Sequence, residues 1–283
     1  MNAIADLFLT LQEPEPRIEQ QHMQAEPHVR AIASIERVLR AGHSLQLAWS
    51  SGKDSSCCVN LAFNAALNLI EEGVKCPTLH LAHADTGVEN PVVRALADSE
   101  LKKMLEFAKA HNIPFKQHIG RPTLSTSFAP RIIGGRALPA FPSTGKSDCA
   151  VDWKVGVNER ISRAISKAEE GSGKPVVTVI GTRSGESLAR QINTADRKET
   201  AHEIWTSPAG QLRLSPILDW TTDEVWMYLG EAAAGIHKAY SDFAELIDFY
   251  RATSGGECMI VADTKQPSGG CSARSGCHVC TKV

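Results

Sequence analysis

Residues 45–58 read Leu-Gln-Leu-Ala-Trp-Ser-Ser-Gly-Lys-Asp-Ser-Ser-Cys-Cys, and this stretch decides the fold. The apolar residues 45–49 predict a strand, the small polar residues after them predict a tight turn, and a helical pattern then continues to Leu69. A strand, a turn and a helix in this order present backbone N–H groups that attract phosphate. The stretch therefore predicts a phosphate-binding site.

The turn itself consists of small and polar residues, namely Ser50, Ser51, Gly52, Lys53, Asp54 and Ser55. Small residues let the backbone approach an anion closely, while Lys53 adds a positive charge and Ser55 adds a hydroxyl donor. Asp54 would repel phosphate unless it binds a metal ion or orients its neighbours. The G-x-x-x-x-G-K-[ST] spacing of a Walker loop is absent. The alternative interpretation is a serine-rich helix start that binds no ligand.

Length and composition restrict the possible classes of protein. The chain has 283 residues, of which 42% are hydrophobic, so it can bury a full core and is expected to form one domain with appendages. A net charge of −2 provides no overall attraction to nucleic acid. Because no apolar run reaches membrane-spanning length and the sequence opens without a signal-peptide pattern, we expect a cytoplasmic protein with no membrane partner.

The rest of the sequence alternates between patterns typical of strands and of helices. The predicted strands are residues 45–49, 78–84, 115–119, 176–180 and 212–218. The predicted helices, besides the one that ends at Leu69, are residues 28–41, 100–111, 152–169, 222–228 and 241–251. This order predicts an α/β fold with an open parallel sheet flanked by helices.

The same patterns suggest how the chain is divided. We expect an N-terminal arm and helix at 1–42, a central domain at 43–230, and a helical, cysteine-rich C-terminal segment at 231–283. Residues 120–150 form a connection too long for an ordinary loop, which is typical of a lid, a binding loop or a disordered segment.

Polar residues follow the second predicted strand, in the sequence Asp85-Thr-Gly-Val-Glu-Asn90. Ligands of open parallel sheets bind at the carboxyl ends of the strands, so Asp85 is expected to face the same crevice as the turn at 50–55. There it could orient Mg²⁺ or contact a ribose. The alternative is a polar helix cap, in which Asn90 precedes Pro91 at the first helical position.

A second polar group, Gly181-Thr-Arg183-Ser-Gly-Glu186-Ser, follows the strand at 176–180. Arg183 is therefore also expected to point into the crevice, where its fork of donors suits phosphate. Arg190 lies one helical turn beyond Glu186, so an ion pair between these two side chains is the structural alternative.

The cysteines favour metal or sulfur chemistry over a disulfide framework in such a chain. Cys149 stands at the end of the long connection and could accept sulfur as a persulfide, although a lone cysteine is more often a small hydrophobe. Cys57 and Cys58 point about 100° apart on their helix, so they cannot both face one ligand and core packing is favoured.

Four further cysteines, Cys258, Cys271, Cys277 and Cys280, lie in a Gly/Ser-rich tail. Four thiolates suit a [4Fe–4S] cluster or tetrahedral zinc, and Cys277-His-Val-Cys280 forms a C-x-x-C pair. The spacing matches neither a ferredoxin nor paired zinc knuckles, so it does not select the metal. A metal-free tail with redox-active or disordered thiols is the alternative.

Together, these motifs resemble the PAPS-reductase-like branch of the PP-loop ATP pyrophosphatases over about residues 45–229. The resemblance rests on Ser50-Ser-Gly-Lys-Asp-Ser55, Asp85-Thr-Gly with Glu89, Gly181-x-Arg183-x-x-Glu186-Ser-x-x-Arg190, and Pro216-Ile-Leu-Asp-Trp220 followed by Glu224-Val-Trp226. The first motif departs from the commoner Ser-Gly-Gly-x-Asp-Ser at Ser51. Residues 85–91 and 274–281 look most like the DNA phosphorothioation proteins of the Dnd and Ssp systems, and the short chain favours the Ssp-type ATP pyrophosphatase.

The resemblance implies an adenine nucleotide alpha-hydrolase-like fold and a defined chemistry. Such enzymes bind ATP and Mg²⁺, release pyrophosphate and transfer AMP to an oxygen of the substrate. Here the oxygen would belong to a backbone phosphate of DNA, and sulfur from a cysteine desulfurase, acting with other phosphorothioation proteins in bacterial defence, would displace AMP. With the residue patterns above, the predicted catalytic residues are Lys53, Asp54, Arg183 and Cys149, and the predicted nucleotide-binding residues are 50–55, Asp85, Gly181 and Arg183. The cluster ligands that the resemblance implies are Cys258, Cys271, Cys277 and Cys280.

Other functions remain open. A PAPS reductase is disfavoured because it needs a C-terminal Glu-Cys-Gly-x-His motif, of which Glu257-Cys258-Met259 retains only the start. An ATP sulfurylase subunit shares the Gly-Lys-Asp-Ser core but does not account for the terminal cysteines. A tRNA thiolase would also use a PP-loop and a cluster. A non-catalytic regulator within a DNA-modification complex would bind ATP without releasing pyrophosphate.

Overall fold

The computed structural model describes residues 26–136, 150–186, 192 and 194–253. The α-helices are α1 (Pro27–Arg40), α2 (Lys53–Glu71), α3 (Pro91–Ala110), α4 (Gly156–Ala168), α5 (Thr222–Ala233) and α6 (Ala244–Thr253). The strands are β1 (Leu45–Trp49), β2 (Leu79–Ala84), β3 (Phe115–Gly120), β4 (Val177–Val179), β5 (Trp205–Thr206) and β6 (Leu212–Leu214).

The strands form one six-stranded sheet in the order β3-β2-β1-β4-β6-β5. Neighbouring strands pair in parallel, except that β5 pairs with β6 in the antiparallel direction. The prediction of an open, mostly parallel sheet flanked by helices is therefore confirmed. β5 was not predicted, because two residues are too few to show a periodic pattern.

Helices cover both faces of the sheet. Alternate residues of β1, such as Leu45 and Leu47, enter a large apolar cluster that also contains residues of α1, α2, α3, α5 and α6. On the other face, Ala82 of β2 packs with α4 in a smaller cluster, and Gln46 of β1 donates to Ser162 of α4 at 2.8 Å. Phe243 and Leu246, which lie in the predicted C-terminal segment, belong to the same large cluster as the central domain. The division at 230 stays a prediction.

Several element bounds differ from the predictions for identifiable reasons. α3 begins at Pro91 instead of residue 100, because the Asn90 side chain caps it by accepting the Val92 N–H at 2.9 Å. β6 ends at Leu214 instead of residue 218, because Pro216 has no N–H to donate to a neighbouring strand. α6 begins later than predicted, at Ala244, whereas the helix predicted at 152–169 consists of a π-helical turn, Val151–Val155, that continues directly into α4 at Gly156.

Within the described ranges, no helix has both the length and the apolar composition needed to cross a membrane. Some predicted features lie outside the described residues, namely most of the N-terminal arm, Cys149, Arg190, Cys258, Cys271, Cys277 and Cys280.

Candidate functional site

The turn at residues 50–55 lies where the strand order of the sheet reverses. The chain passes from β1 to β2 and β3 on one side, whereas β4 lies on the other side of β1. The carboxyl ends of β1 and β4 therefore border a crevice, which is the usual ligand position in open α/β sheets. Because Ser50 follows β1 and Gly181 closely follows β4, the sheet brings two of the predicted motifs to this crevice.

The turn is held in shape by its own serines. The Ser50 N–H donates to the Ser55 hydroxyl oxygen at 3.2 Å, and the Ser55 hydroxyl donates to the Gly52 carbonyl at 2.9 Å. Ser51 has a φ of 58°, in the left-handed region, and its hydroxyl donates to the Ser50 carbonyl at 2.6 Å. Glycine adopts this conformation without strain. The turn therefore carries a strained serine at the position where the commoner motif has glycine.

The first turn of α2 borders the crevice. Its N-cap residue, Gly52, has no side chain with which to cap the helix. Instead, the Lys53 N–H donates to the hydroxyl of Tyr250 in α6 at 3.4 Å, and the Lys53 ammonium lies 5.7 Å from the centre of the Tyr250 ring. The N–H groups and the positive end of the helix dipole are thus covered on one side by α6.

Asp54 links the two sides of the crevice. Its Oδ1 accepts a hydrogen bond from Arg183 Nε at 2.7 Å, and its Oδ2 accepts one from Lys53 Nζ at 3.0 Å. Arg183 is 2% exposed, and its Nη1 donates to the Thr222 hydroxyl at the start of α5, at 3.0 Å. A buried guanidinium requires such partners. The structure therefore shows Asp54 orienting its two cationic neighbours.

Gly181 permits the close approach of the two sides. A Cβ placed on Gly181 would lie 2.9 Å from both the carbonyl carbon and the carbonyl oxygen of Asp54, closer than real Cβ contacts. Any side chain at this position would therefore separate the end of β4 from α2. Gly181 thus sets the distance over which Arg183 reaches Asp54.

Asp85 is buried at the carboxyl end of β2, and its carboxylate is already engaged. It accepts hydrogen bonds from Arg121 Nε at 2.9 Å, from Arg94 Nη1 at 3.2 Å and from the Gly87 N–H at 3.0 Å. Burial alone would raise the pKa of Asp85, but these donors outweigh it, so the pKa lies below its usual value. Asp85 is therefore ionised at neutral pH, while Asn90 caps α3.

Sequence reasoning missed both arginines that hold Asp85. Arg121 directly follows β3, at the same edge of the sheet, so the rule that selected Asp85 could also have selected Arg121. Arg94 lies in the first turns of α3, where no motif marks it. Both side chains are partly exposed, and they add positive charge beside the crevice.

Cys57 and Cys58 pack in the core, as predicted. Burial is the main cause that raises the pKa of both thiols, so neither is a thiolate at neutral pH. Burial also raises the pKa of Cys76, to about 11. None of these three cysteines is therefore placed to act as a nucleophile.

Residues 154–281 match the family model described as the phosphoadenosine phosphosulfate reductase domain. The match covers less than half of the chain; it includes Arg183 and α5 but not the turn at residues 50–55. No curated protein matches the sequence.

Several solved structures are partly similar to this chain at low sequence identity. The U34-tRNA thiolase NcsA from Methanococcus maripaludis, solved with its [4Fe–4S] cluster, is 15% identical with a TM-score of 0.41, over 81% of this chain and 74% of that one. The NAD⁺ synthetase from Burkholderia pseudomallei is 16% identical with a TM-score of 0.41, over 78% of this chain and 82% of that one. The FMN adenylyltransferase from Candida glabrata is 12% identical with a TM-score of 0.36 over 72% of this chain, which spans 57% of that protein.

Proposed function

We propose that the protein is an ATP pyrophosphatase that adenylates a backbone phosphate of DNA, so that sulfur can be incorporated there. The main observation in favour of ATP binding and cleavage is the group that Lys53, Asp54 and Arg183 form beside the N-terminus of α2. The match of residues 154–281 to the phosphoadenosine phosphosulfate reductase domain supports a nucleotide-dependent sulfur chemistry. The proposal that DNA is the substrate rests on the resemblance of residues 85–91 and 274–281 to phosphorothioation proteins.

The triphosphate of ATP would bind at the N-terminus of α2. The N–H groups and the positive end of the helix dipole favour an anion there, and Lys53 adds a point charge. A phosphate oxygen that reaches the Lys53 N–H would replace the Tyr250 hydroxyl, which accepts that N–H only at 3.4 Å. The negative charge of Asp54 is offset by its contacts with Lys53 and Arg183.

The proposed reaction is a displacement at the α-phosphorus. A bond forms between the substrate oxygen and this phosphorus while the bond to the bridging oxygen of the β-phosphate breaks, and pyrophosphate leaves. Negative charge increases on the departing pyrophosphate, and Lys53 and Arg183 would stabilise it, because Asp54 already holds both cations in place.

Mg²⁺ bound to the phosphates would supply further neutralisation of charge. The donor set fits this ion. A carboxylate offers about four acceptor positions, and described residues use two of those on Asp54, so Asp54 can also serve as a ligand. Asp85 is a second carboxylate at the same edge of the sheet, although Arg94 and Arg121 already occupy much of its capacity.

The second stage would use a cysteine desulfurase and other phosphorothioation proteins as partners. We propose that Cys149 accepts this sulfur as a persulfide, whose outer sulfur bonds to the DNA phosphorus as the bond to the oxygen that carries AMP breaks, so AMP is the leaving group. A second thiol would then attack the Cys149 sulfur, which breaks the S–S bond, releases the DNA phosphorothioate and leaves a disulfide; the two thiols supply the two electrons. The donor set of Cys258, Cys271, Cys277 and Cys280, four thiols, suits a [4Fe–4S] cluster, with zinc as the alternative.

A reductase of phosphoadenosine phosphosulfate is the second candidate, because the family match favours it. It would bind a sulfonucleotide and would not split ATP. The sequence Glu257-Cys258-Met259 lacks the rest of the reductase motif, which is why we place the pyrophosphatase first.

Product analysis with ATP labelled at the α-phosphate tests the proposal, in the presence of Mg²⁺ and with or without DNA and a desulfurase. We expect AMP and pyrophosphate from the native chain. Asp54→Asn should abolish them, since it keeps an oxygen acceptor for Arg183 but removes the charge. Asp98→Asn, on the exposed surface of α3, is the matched control and should be fully active.

The alternatives predict different products. ADP and phosphate, or no turnover under any of these conditions, would favour an ATP-binding regulator. AMP formation that responds to tRNA and not to DNA would favour a thiolase. Undiminished AMP formation by Asp54→Asn would show that the site is wrongly assigned.

A further inference from the structure

A second polar cluster lies away from the crevice, between the start of α1 and the end of α5. His28 belongs to the first turn of α1, Glu231 to the last turns of α5, and His237 to the loop that follows α5. Each side chain offers one ligand atom, and these three atoms all lie within 4.8 Å of one another. The cluster therefore joins segments that are about two hundred residues apart in the chain.

The two imidazole rings are held by a buried tyrosine. The His237 ring stacks on Tyr228 with ring centres 5.3 Å apart, and the His28 ring lies 4.5 Å from that of His237. Tyr228 in turn accepts a hydrogen bond from the Asn60 side chain at 2.8 Å. Side chains that are already positioned lose little further freedom when they bind a ligand.

The surroundings of the cluster favour a cation. A cavity of about 180 Å³ beside it is lined by the carboxylates Glu26, Glu224 and Glu231, and no lysine or arginine occurs among its described lining residues. Glu26 lies 3.4 Å from His28 Nδ1, and Glu231 lies 2.9 Å from His237 Nε2. Carboxylates thus accompany both imidazoles.

One further feature is consistent with a bound ion. Trp220 lines the same cavity, and its buried indole N–H has no acceptor among the described residues. A metal-bound water in the cavity would supply that acceptor.

We propose that His28, Glu231 and His237 bind a divalent transition-metal ion of the zinc class, which ties α1 to α5. Two imidazoles and a carboxylate suit zinc, whereas Mg²⁺ and Ca²⁺ prefer oxygen ligands. Bonds of about 2.0–2.2 Å in tetrahedral geometry place ligand atoms roughly 3.3 Å apart, so small side-chain rotations complete the site. Glu26 or water fills the fourth position. This site is independent of the proposed reaction with ATP.

Cobalt binding by the full-length chain tests the proposal, because Co²⁺ occupies zinc sites and its absorption spectrum distinguishes thiolate ligands from nitrogen and oxygen ligands. The terminal cysteines could also bind Co²⁺, so accessible thiols are first blocked with N-ethylmaleimide. We expect one equivalent of Co²⁺ per blocked chain, without a thiolate-to-metal charge-transfer band. His237→Gln and Glu231→Gln should each weaken binding at least about tenfold.

His43→Gln is the matched control, because His43 lies before β1 and contacts the Pro175 carbonyl instead of the cluster. It should bind Co²⁺ like the native chain. Circular dichroism of each variant verifies that it is folded, and Zn²⁺ should raise the unfolding temperature of the native and control chains only. Absence of Co²⁺ binding after thiols are blocked, or equal affinity in all variants, would overturn the proposal.

Discussion

Gly181 shows how a single residue controls the geometry of the crevice. Because an added Cβ would lie 2.9 Å from the backbone of Asp54, Gly181→Ala must displace the end of β4 and with it Arg183. We expect a loss of about 1–3 kcal/mol in the free energy of unfolding, the usual cost of overpacking, together with weaker ATP binding. Denaturant unfolding and calorimetric titration with a non-hydrolysable ATP analogue measure the two effects.

Gly185→Ala provides the matched comparison. A Cβ on Gly185 would meet no described atom within 4 Å, so we expect both stability and ATP affinity to stay close to native. If the two substitutions had the same effect, the close approach of Gly181 to Asp54 would not be the cause.

Ser51 supplies a prediction about backbone strain. Its φ of 58° is easy for glycine and unfavourable for a β-branched residue. We expect Ser51→Gly to change the free energy of unfolding by less than about 1 kcal/mol, since relief of strain offsets the lost hydroxyl contact and the greater freedom of the unfolded chain. Ser51→Val should cost about 2 kcal/mol or more. Equal stability of the two variants in urea unfolding would contradict this explanation.

At the scale of elements, α6 is the helix whose role the sequence did not indicate. Its Tyr250 hydroxyl accepts the Lys53 N–H at the N-terminus of α2, and the Tyr250 ring packs at 5.1 Å against Trp226 of α5. If phosphate requires the same N–H, Tyr250→Phe removes a competitor and keeps the ring. We expect ATP to bind about two- to tenfold more tightly, as a hydrogen bond worth about 0.5–1.5 kcal/mol implies.

Calorimetric titration with ATP measures this change, and Phe249→Leu in the same helix tests whether any change in α6 has the same effect. Weaker ATP binding by Tyr250→Phe would mean that the hydroxyl itself contacts the nucleotide.

The elements that the sequence predicted best have signals confined to a few adjacent residues. β1, the turn and α2 follow from an apolar run, small residues and a helical period, and α5 begins where predicted because Thr221 and Glu224 form a capping box. The predicted start of α3 and the predicted end of β6 were wrong, although Asn90-Pro91 and Pro216 marked the observed bounds in the sequence. In both cases the apolar pattern was followed instead of the cap or the proline.

At the scale of the whole molecule, topology decided which site residues could be predicted. The carboxyl-end rule selected Asp85 and Arg183, since each follows a recognisable strand. It could not identify Thr222 as a partner of Arg183, or Arg94 as a partner of Asp85, because these contacts depend on how helices pack over the sheet. A motif specifies neighbours in the chain, whereas a buried charge requires neighbours in space.

The buried His80 and the half-buried His118 couple the stability of the whole molecule to pH. His80 of β2 is completely buried; its Nδ1 lies 3.0 Å from His118 Nε2 of β3, and its Nε2 lies 3.0 Å from Glu169 Oε1 after α4. Burial lowers the pKa of His80, helped by His118 and Lys116, and outweighs the opposing effect of Glu169. Burial also lowers the pKa of His118. Both rings are therefore neutral in the folded protein at neutral pH.

This arrangement predicts a loss of stability in mild acid. Below about pH 6.5 the unfolded chain binds protons at these positions that the folded protein excludes, so the free energy of unfolding falls as the pH decreases from about 7 to 5. The lowered pKa values of Asp85 and Glu169 also stabilise the folded protein, but this stabilisation is lost only below about pH 4, outside the pH range of the histidine effect. Urea unfolding across this range measures the slope, which His80→Gln should make shallower because glutamine does not titrate. A free energy of unfolding that stays constant from about pH 7 to 5, or a slope unchanged in His80→Gln, would contradict the prediction.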